Sequence, residues 1–348
     1  FRGLNFLLNE QPDKAIEVFL QIAEPDSDTL ETQLALGNLF RRRGEVDRAI
    51  RLHQNLFTRP LLSPEQRSVA LAELGEDYLR AGLLDRAETL FKELLVVSGQ
   101  QTVALQQLIQ IYQQEQDWDS AIAAAEKLVA TGDDSVHGLI AQFQCELADR
   151  ALVSGDRARA RELLLTALER NKDCLRAHLQ LGRIDASEQR WLSASRHFEA
   201  VARIDPNFVS EVVGPLSTAL QALGDGRRAR RLMQEFMQRE QGCASLIGLV
   251  EMVQAEQGRE AAIEMLAERL HERPSVRGVR RLLELSFPPG EHGNESVDLV
   301  RDILDKLLDR DASYRCHHCG FRPRALHWQC PSCKRWGTIK PIHGLVGD

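Results

Sequence analysis

Residues 73–91 of the chain read ELGEDYLRAGLLDRAETLF, and the order of small and apolar residues in them indicates how the chain folds. Gly75 is followed three residues later by Tyr78, Gly82 comes four residues after that, and Ala87 five residues further on. Two antiparallel helices that cross closely need a small residue at the crossing, apolar residues around it, and a residue that tolerates positive φ at the turn. The stretch therefore predicts a tightly packed helical hairpin that ends its first helix at Gly82.

The same pattern recurs along most of the chain. Its alanine falls at intervals of 33 to 39 residues, at Ala15, Ala49, Ala87, Ala121, Ala160, Ala194, Ala229 and Ala262. This spacing resembles the tetratricopeptide repeat, whose period is about 34 residues. One hairpin cannot bury its apolar face alone, so neighbours must stack. We expect a mostly α protein in which about eight repeats form a superhelical solenoid over residues 1–285, with longer loops near residues 60–64 and 132–134.

Composition agrees with this fold class and limits the function. The 348 residues exceed the roughly 250–300 that one compact core supports, and only 5% of them are aromatic. The formal net charge of −7 argues against a general nucleic-acid binder. No run of 18 apolar residues occurs, so the chain as given contains no predicted membrane span. The arginine runs 41–43 and 227–231 are expected to be solvated.

The repeat pattern breaks at residues 286–294, where two prolines and two glycines cannot continue a helix. Residues 295–311 then show an apolar stripe at helical spacing. We interpret residues 286–311 as a linker and a helix that caps the end of the solenoid, with a partner-binding helix as the lesser alternative.

The strongest local motif is YRCHHCGFRPRALHWQCPSCKRWGTIKPI, residues 314–342. Cys316 and Cys319 form one C-x-x-C, and Cys330 and Cys333 form a second after ten intervening residues. Two such turns deliver four thiolates to one tetrahedral ion. A unit of this size rarely folds without a metal or disulfides, so residues 312–348 are predicted to be a small domain similar to rubredoxin and zinc ribbons.

Four cysteines form a closed ligand set, and a catalytic zinc needs an open position. The predicted cofactor is therefore one structural zinc ion or one redox-active iron ion. Four cysteines can bind either metal, so the sequence does not distinguish between them. His317 and His318 are expected at the surface or beside the ligands. The other three cysteines are expected to be small buried residues: Cys145, Cys174 and Cys243.

Charge is distributed unevenly. Residues 312–348 carry a formal charge of +5, and residues 1–311 carry −12. The basic side chains are either a solvated rim or a surface that docks onto the acidic solenoid or an acidic partner.

Repeats followed by a four-cysteine tail are an unusual pairing. Together with GNLFRRRGEVDRAIRLHQNL (37–56), AGLLDRAE (81–88) and CPSCKRWGTIKPIHGL (330–345), it resembles the lipopolysaccharide assembly protein B family of Gram-negative bacteria. The resemblance covers essentially the whole chain, and the four tail cysteines match the metal ligands of that family. It implies an N-terminal inner-membrane helix, absent from this chain, which begins at Phe1 inside a helical pattern. It also implies a location on the cytoplasmic face of the inner membrane.

The resemblance further implies a non-catalytic adaptor. In that family the adaptor promotes degradation of LpxC, the deacetylase that commits precursors to lipid A, by the membrane AAA+ protease FtsH, and an inner-membrane lipopolysaccharide sensor antagonises it. We therefore expect that the chain binds other proteins, does not bind nucleic acid and has no enzymatic activity. A homo-oligomer is compatible with this expectation. Residues that contact partners cannot be assigned. The alternative is electron transfer through an iron centre.

Overall fold

A computed structural model of the chain describes residues 30–60, 62–97, 99–239, 242–288, 295–310 and 312–343. The first predicted repeat, around Ala15, lies outside these residues. The chain divides into two compact units, residues 1–143 and 144–348.

The described part of the first unit consists of helical hairpins. Its helices are α1 (Leu30–Arg42), α2 (Val46–Phe57), α3 (Pro64–Arg80), α4 (Leu84–Leu94), α5 (Gln101–Glu115) and α6 (Trp118–Ala130). A 3₁₀ turn (Asp134–Val136) then leads into α7 (His137–Val153), which crosses the boundary between the two units. The long connections before α3 and before α7 fall where the two widest alanine intervals predicted them.

The second unit continues the hairpins and ends in a small sheet. Its further elements are α8 (Arg157–Arg170), α9 (Leu175–Ser187), α10 (Trp191–Ile204), a 3₁₀ turn (Pro206–Phe208), α11 (Val209–Ala222), α12 (Gly226–Arg239), α13 (Ala244–Gln257), α14 (Arg259–Glu272), α15 (Val276–Ser286), α16 (Glu295–Arg310), β1 (Tyr314–Cys316) and β2 (Ile339–Pro341). Seven of the eight predicted repeats are thus helical hairpins within the described residues. This confirms the predicted class, a mostly α repeat protein with a small cysteine-rich C-terminal domain.

The crossings are as close as the repeat pattern predicts. The repeat alanines from Ala49 to Ala262 are fully buried. At Gly182, an added Cβ would lie 2.6 Å from the ring of Phe198 on the next helix. Gly82, at the end of α3, has φ +74°, and the glycines at 44, 155, 224 and 258 also have positive φ. Helix crossing and chain reversal therefore depend on glycine at different positions of each repeat.

Arg41, the first residue of one arginine run, is not solvated as predicted, whereas Arg42 and Arg43 are exposed. The Arg41 guanidinium lies 2.7 Å from Asp77 Oδ1 and 2.6 Å from Glu73 Oε2. The other Asp77 oxygen lies 2.5 Å from His53 Nδ1, and both of those side chains are fully buried. His53 comes four residues after its repeat alanine, at the position where the next repeat has Phe91. A histidine at this otherwise apolar position is the sequence feature that could have predicted an internal polar network.

Helix α16 forms where a capping helix was predicted and contacts α15, with Arg280 paired to Asp305. Its apolar face is only partly covered, because Val300 and Leu307 remain 44% and 40% exposed. The domain boundaries at residues 285 and 311 stay predictions. Among the residues that the structure describes, no helix combines the length and apolar character needed to cross a bilayer.

Candidate metal centre

Two similar turns, or knuckles, build the C-terminal domain. In the first knuckle, Cys316 N–H donates to the carbonyl of Phe321 at 2.7 Å, and Gly320 adopts φ +79°. In the second, Cys330 N–H donates to the carbonyl of Arg335 at 2.8 Å. The strands β1 and β2 pair antiparallel, with Cys316 opposite Ile339, and so hold the first knuckle against the end of the domain.

Lys334 is the counterpart of Gly320 in the second knuckle. Each residue comes four positions after the first cysteine of its knuckle and donates its N–H to that cysteine's carbonyl, at 3.0 Å for Gly320 and 2.8 Å for Lys334. Lys334 has φ +58°, a conformation that costs a residue with a Cβ free energy. The sequence gives no sign of this role of Lys334, because lysine, unlike glycine, is not typical of a position with positive φ.

The four sulfur atoms are placed for a tetrahedral ion. Cys316 Sγ lies 3.8 Å from Cys333 Sγ, and Cys319 Sγ lies 3.7 Å from Cys330 Sγ. All four atoms lie within 4.8 Å of one another. A tetrahedron with metal–sulfur distances of about 2.3 Å has sulfur–sulfur edges of about 3.8 Å. The residues therefore fit the ion that their spacing predicts.

Neighbouring groups lower the pKa of one thiol of the cluster and raise the pKa of another. Burial acts to raise the pKa of Cys316, but the Thr338 hydroxyl and the backbone of residues 318 and 319 outweigh it and lower that pKa to about 5. At Cys333 the backbone of Arg335 acts to lower the pKa, but burial and the three other sulfurs raise it to about 11. Four thiolates so close together repel one another, and a bound dication offsets that repulsion.

The remaining candidate residues lie apart from the four sulfurs. His317 and His318 are exposed and are not members of the sulfur cluster. Cys145, Cys174 and Cys243 are buried among the helices, as predicted.

Polar contacts hold the domain against the repeats of the second unit. The Tyr314 hydroxyl donates to the Glu211 carboxylate on α11, 103 residues away in sequence. The Lys340 ammonium lies 2.8 Å from Asp205 Oδ2, at the end of α10. Burial raises the pKa of Tyr314, and the hydrogen bond with Glu211 raises it further. One basic residue of the tail therefore docks onto the acidic repeats, while Arg322 and most other basic residues of the tail are exposed.

Trp328 makes the apolar part of the same contact. Its ring stacks on Phe208 with a centroid distance of 5.9 Å and an interplanar angle of 8°. The Arg176 guanidinium lies 5.9 Å from the Trp328 ring centroid. Leu326 also packs against the core cluster that includes Phe208. Aromatic stacking, a cation–π contact and ion pairing together hold the metal domain on the repeats.

Fold and site together define a class: tetratricopeptide-repeat proteins that carry a rubredoxin-type metal-binding domain. The family described as rubredoxin metal binding domain matches residues 314–341, and tetratricopeptide-repeat families match residues 34–64 and 145–207. A solved tetratricopeptide repeat protein from Parabacteroides merdae covers 79% of this chain and 98% of its own, with 12% identity and a TM-score of 0.37.

Curated relatives identify the family more closely. Lipopolysaccharide assembly protein B of Escherichia coli K12 is 39% identical over 99% of this chain and 89% of its own length. The protein of the same name from Haemophilus influenzae Rd is 31% identical over 98% of this chain and 88% of its own length. The chain belongs to the lipopolysaccharide assembly protein B family.

Proposed function

We propose that the chain is a non-catalytic adaptor that presents LpxC, the deacetylase committing precursors to lipid A, to the membrane protease FtsH. Its family membership supports a role in lipopolysaccharide assembly. Tetratricopeptide repeats generally bind proteins, which supports protein partners. In this proposal the chain acts at the cytoplasmic face of the inner membrane, where an inner-membrane lipopolysaccharide sensor opposes it.

The proposal assigns Cys316, Cys319, Cys330 and Cys333 as ligands of one zinc ion. A closed set of four sulfurs leaves no open position for water or substrate, so the ion has a structural role. Such an ion would fix the two knuckles and thereby the positions of Tyr314 on β1 and Lys340 on β2.

The main support for the adaptor proposal is the contact between the metal domain and the repeats. Trp328 stacks on Phe208 in the second 3₁₀ turn, Lys340 pairs with Asp205 after α10, and the Tyr314 hydroxyl donates to α11. The repeats and the knuckles therefore present neighbouring surfaces. An adaptor needs such a fixed relation, because two proteins bound to it must meet in a productive orientation. Exposed Arg322 and Arg335 then offer cationic contacts to one of them.

A matched pair of aromatic truncations tests this proposal. Trp328→Ala removes the stacking contact with Phe208, whereas Phe321→Ala truncates an aromatic that is 39% exposed on the first knuckle. Zinc-loaded chain, immobilised and incubated with purified LpxC and FtsH, should retain both proteins. Trp328→Ala should lose most of this retention while keeping its zinc, and Phe321→Ala should behave as the parent chain. Undiminished retention by Trp328→Ala would refute an adaptor role that depends on the docked domain.

Electron transfer through an iron ion is the second candidate. Cys319 is exposed, so one ligand of the centre lies within reach of a redox partner. Iron bound by four thiolates absorbs visible light, and the absorbance should bleach with dithionite. Elemental analysis that finds only zinc in the chain isolated from its own bacterium would exclude this function.

A further inference from the structure

Two cysteines outside the metal centre lie side by side within the second unit. Cys145 is on α7 and Cys174 is the N-cap residue of α9, 29 positions later in the sequence. Their sulfur atoms are 3.9 Å apart, and the two residues are 0% and 2% exposed. Neither belongs to a C-x-x-C motif, so only the packing of consecutive repeats brings them together.

We propose that Cys145 and Cys174 form a redox-active dithiol that a peroxide converts into a reversible disulfide, and that this conversion alters how the metal domain is held. A disulfide requires a sulfur–sulfur distance of about 2.05 Å, so the two atoms must approach by roughly 1.9 Å. Rotation of two side chains with a small shift of the start of α9 covers that distance. The proposal does not rest on the adaptor function.

The surroundings give the two thiols different roles. The pKa of Cys174 is lowered to about 7, first by the hydrogen bond with Cys145 and then by the backbone of residues 176 and 177 and the Arg176 charge, while burial opposes them. The same hydrogen bond and burial raise the pKa of Cys145. Cys174 is thus the thiol that ionises more readily, which suits it to attack, and Cys145 is the resolving thiol.

The chemistry balances with a peroxide as the oxidant. The Cys174 thiolate attacks one oxygen of hydrogen peroxide, the O–O bond breaks, and a sulfenic acid and hydroxide form. The Cys145 sulfur then attacks the sulfenic sulfur, and the S–O bond breaks. The hydroxyl leaves as water with the proton of Cys145. The hydroxide takes up the proton that Cys174 released on ionisation, so two thiols have lost two electrons and the peroxide has become two water molecules. Hydrogen peroxide is little larger than water, which favours it as the oxidant of a buried pair.

The dithiol is connected to the metal domain through Arg176. This residue is two positions after Cys174, and its guanidinium lies 2.8 Å from Glu146, the neighbour of Cys145. The same guanidinium lies over the Trp328 ring of the metal domain. Drawing Cys174 towards Cys145 must therefore displace Arg176 relative to Trp328.

Cys243 provides a built-in control. It is also the N-cap residue of the first helix of a repeat, α13, and it is 5% exposed. Its sulfur accepts a hydrogen bond from the hydroxyl of Ser275 at 3.1 Å. A hydroxyl cannot resolve a sulfenic acid, so we expect no intramolecular disulfide at Cys243.

The test exposes the zinc-loaded full chain to hydrogen peroxide, blocks remaining thiols by alkylation, and maps the peptides by mass spectrometry. Most chains should contain a Cys145–Cys174 cross-link, both in the parent and in Cys243→Ser, and a dithiol reductant should remove it. In Cys145→Ser, dimedone should trap Cys174 as a sulfenic acid. Zinc content, measured in parallel, separates this reaction from oxidation of the metal-domain cysteines.

Hydrogen exchange tests the second half of the proposal. Backbone exchange at residues 326–329 should rise at least twofold on oxidation of the parent and stay unchanged in Cys145→Ser. A parent chain whose Cys174 stays reduced, or ends as a sulfenic acid without a cross-link, overturns the redox pair. A cross-link without altered exchange overturns its connection to the metal domain.

Discussion

Replacing Gly182 by alanine should weaken the second unit because α9 and α10 cross at that residue. A Cβ on Gly182 would lie 2.6, 2.8 and 3.0 Å from three carbons of the Phe198 ring. Ordinary carbon contacts begin near 3.4 Å, so the ring must move by about 0.8 Å or the two helices must separate. Phe198 is fully buried, and its surroundings resist either change.

The expected loss in free energy of unfolding is the cost of overpacking the core minus the gain in helix propensity. Overpacking of a core typically costs about 1–3 kcal/mol, and three short contacts with a rigid ring place this site near the upper end. Alanine in place of glycine gains about 1 kcal/mol of helix propensity. The net loss in free energy of unfolding is therefore about 2 kcal/mol. With a urea slope of about 2 kcal/mol/M, the midpoint should fall by about 1 M.

Urea unfolding followed by circular dichroism measures this shift, and two further variants make the result specific. Gly226→Ala adds the same methyl group to the first residue of α12, where nothing lies within 4 Å of the new Cβ. Its midpoint should stay level or rise. Phe198→Leu combined with Gly182→Ala should recover part of the loss, since leucine lacks the ring atoms in conflict. Equal midpoints for Gly182→Ala and Gly226→Ala would show that the crossing is not as close as described.

Three further predictions concern the second knuckle, the docking contact and the internal polar network. Lys334→Gly should relieve the left-handed backbone and stabilise the metal domain by about 1 kcal/mol, seen as slower zinc loss to a chelator. Burial acts to raise the pKa of Asp205, but the hydrogen bonds from Lys340 and Asn207 outweigh it and lower that pKa from 3.8. The docking contact should therefore be fully formed above pH 3.8 and weaken as pH falls through the lowered value. Proteolysis of the tail should show a larger acid loss of protection in the parent than in Asp205→Asn, beyond the loss that both share when the protonated thiols release their ion. Asp77→Ala should destabilise the first unit by about 3 kcal/mol, because it leaves the buried His53 ring without its carboxylate partner and leaves the partly exposed Arg41 with Glu73 as its remaining carboxylate; urea unfolding that finds less than 1 kcal/mol would contradict this reasoning.

Residue order alone predicts the repeat architecture and the four-cysteine set. Both are encoded in local spacing: Gly75 and Ala87 lie within one hairpin, and each C-x-x-C lies within one turn. Periodicity also predicted the positive φ at Gly82, because a helix that must reverse direction there has few other solutions. Such features depend on neighbours in the chain, so residue order alone is enough to predict them.

The contacts between segments that are distant in the chain become visible only in the folded protein. Tyr314 contacts Glu211 across 103 positions, and Lys340, one of several similar basic residues, is the one that reaches Asp205. Arg41 was predicted to be solvated and instead enters a polar network with Asp77. Nothing in the order of residues distinguishes a docked arginine or lysine from a solvated one. The difference arises from how the repeats stack and where the metal domain settles on them.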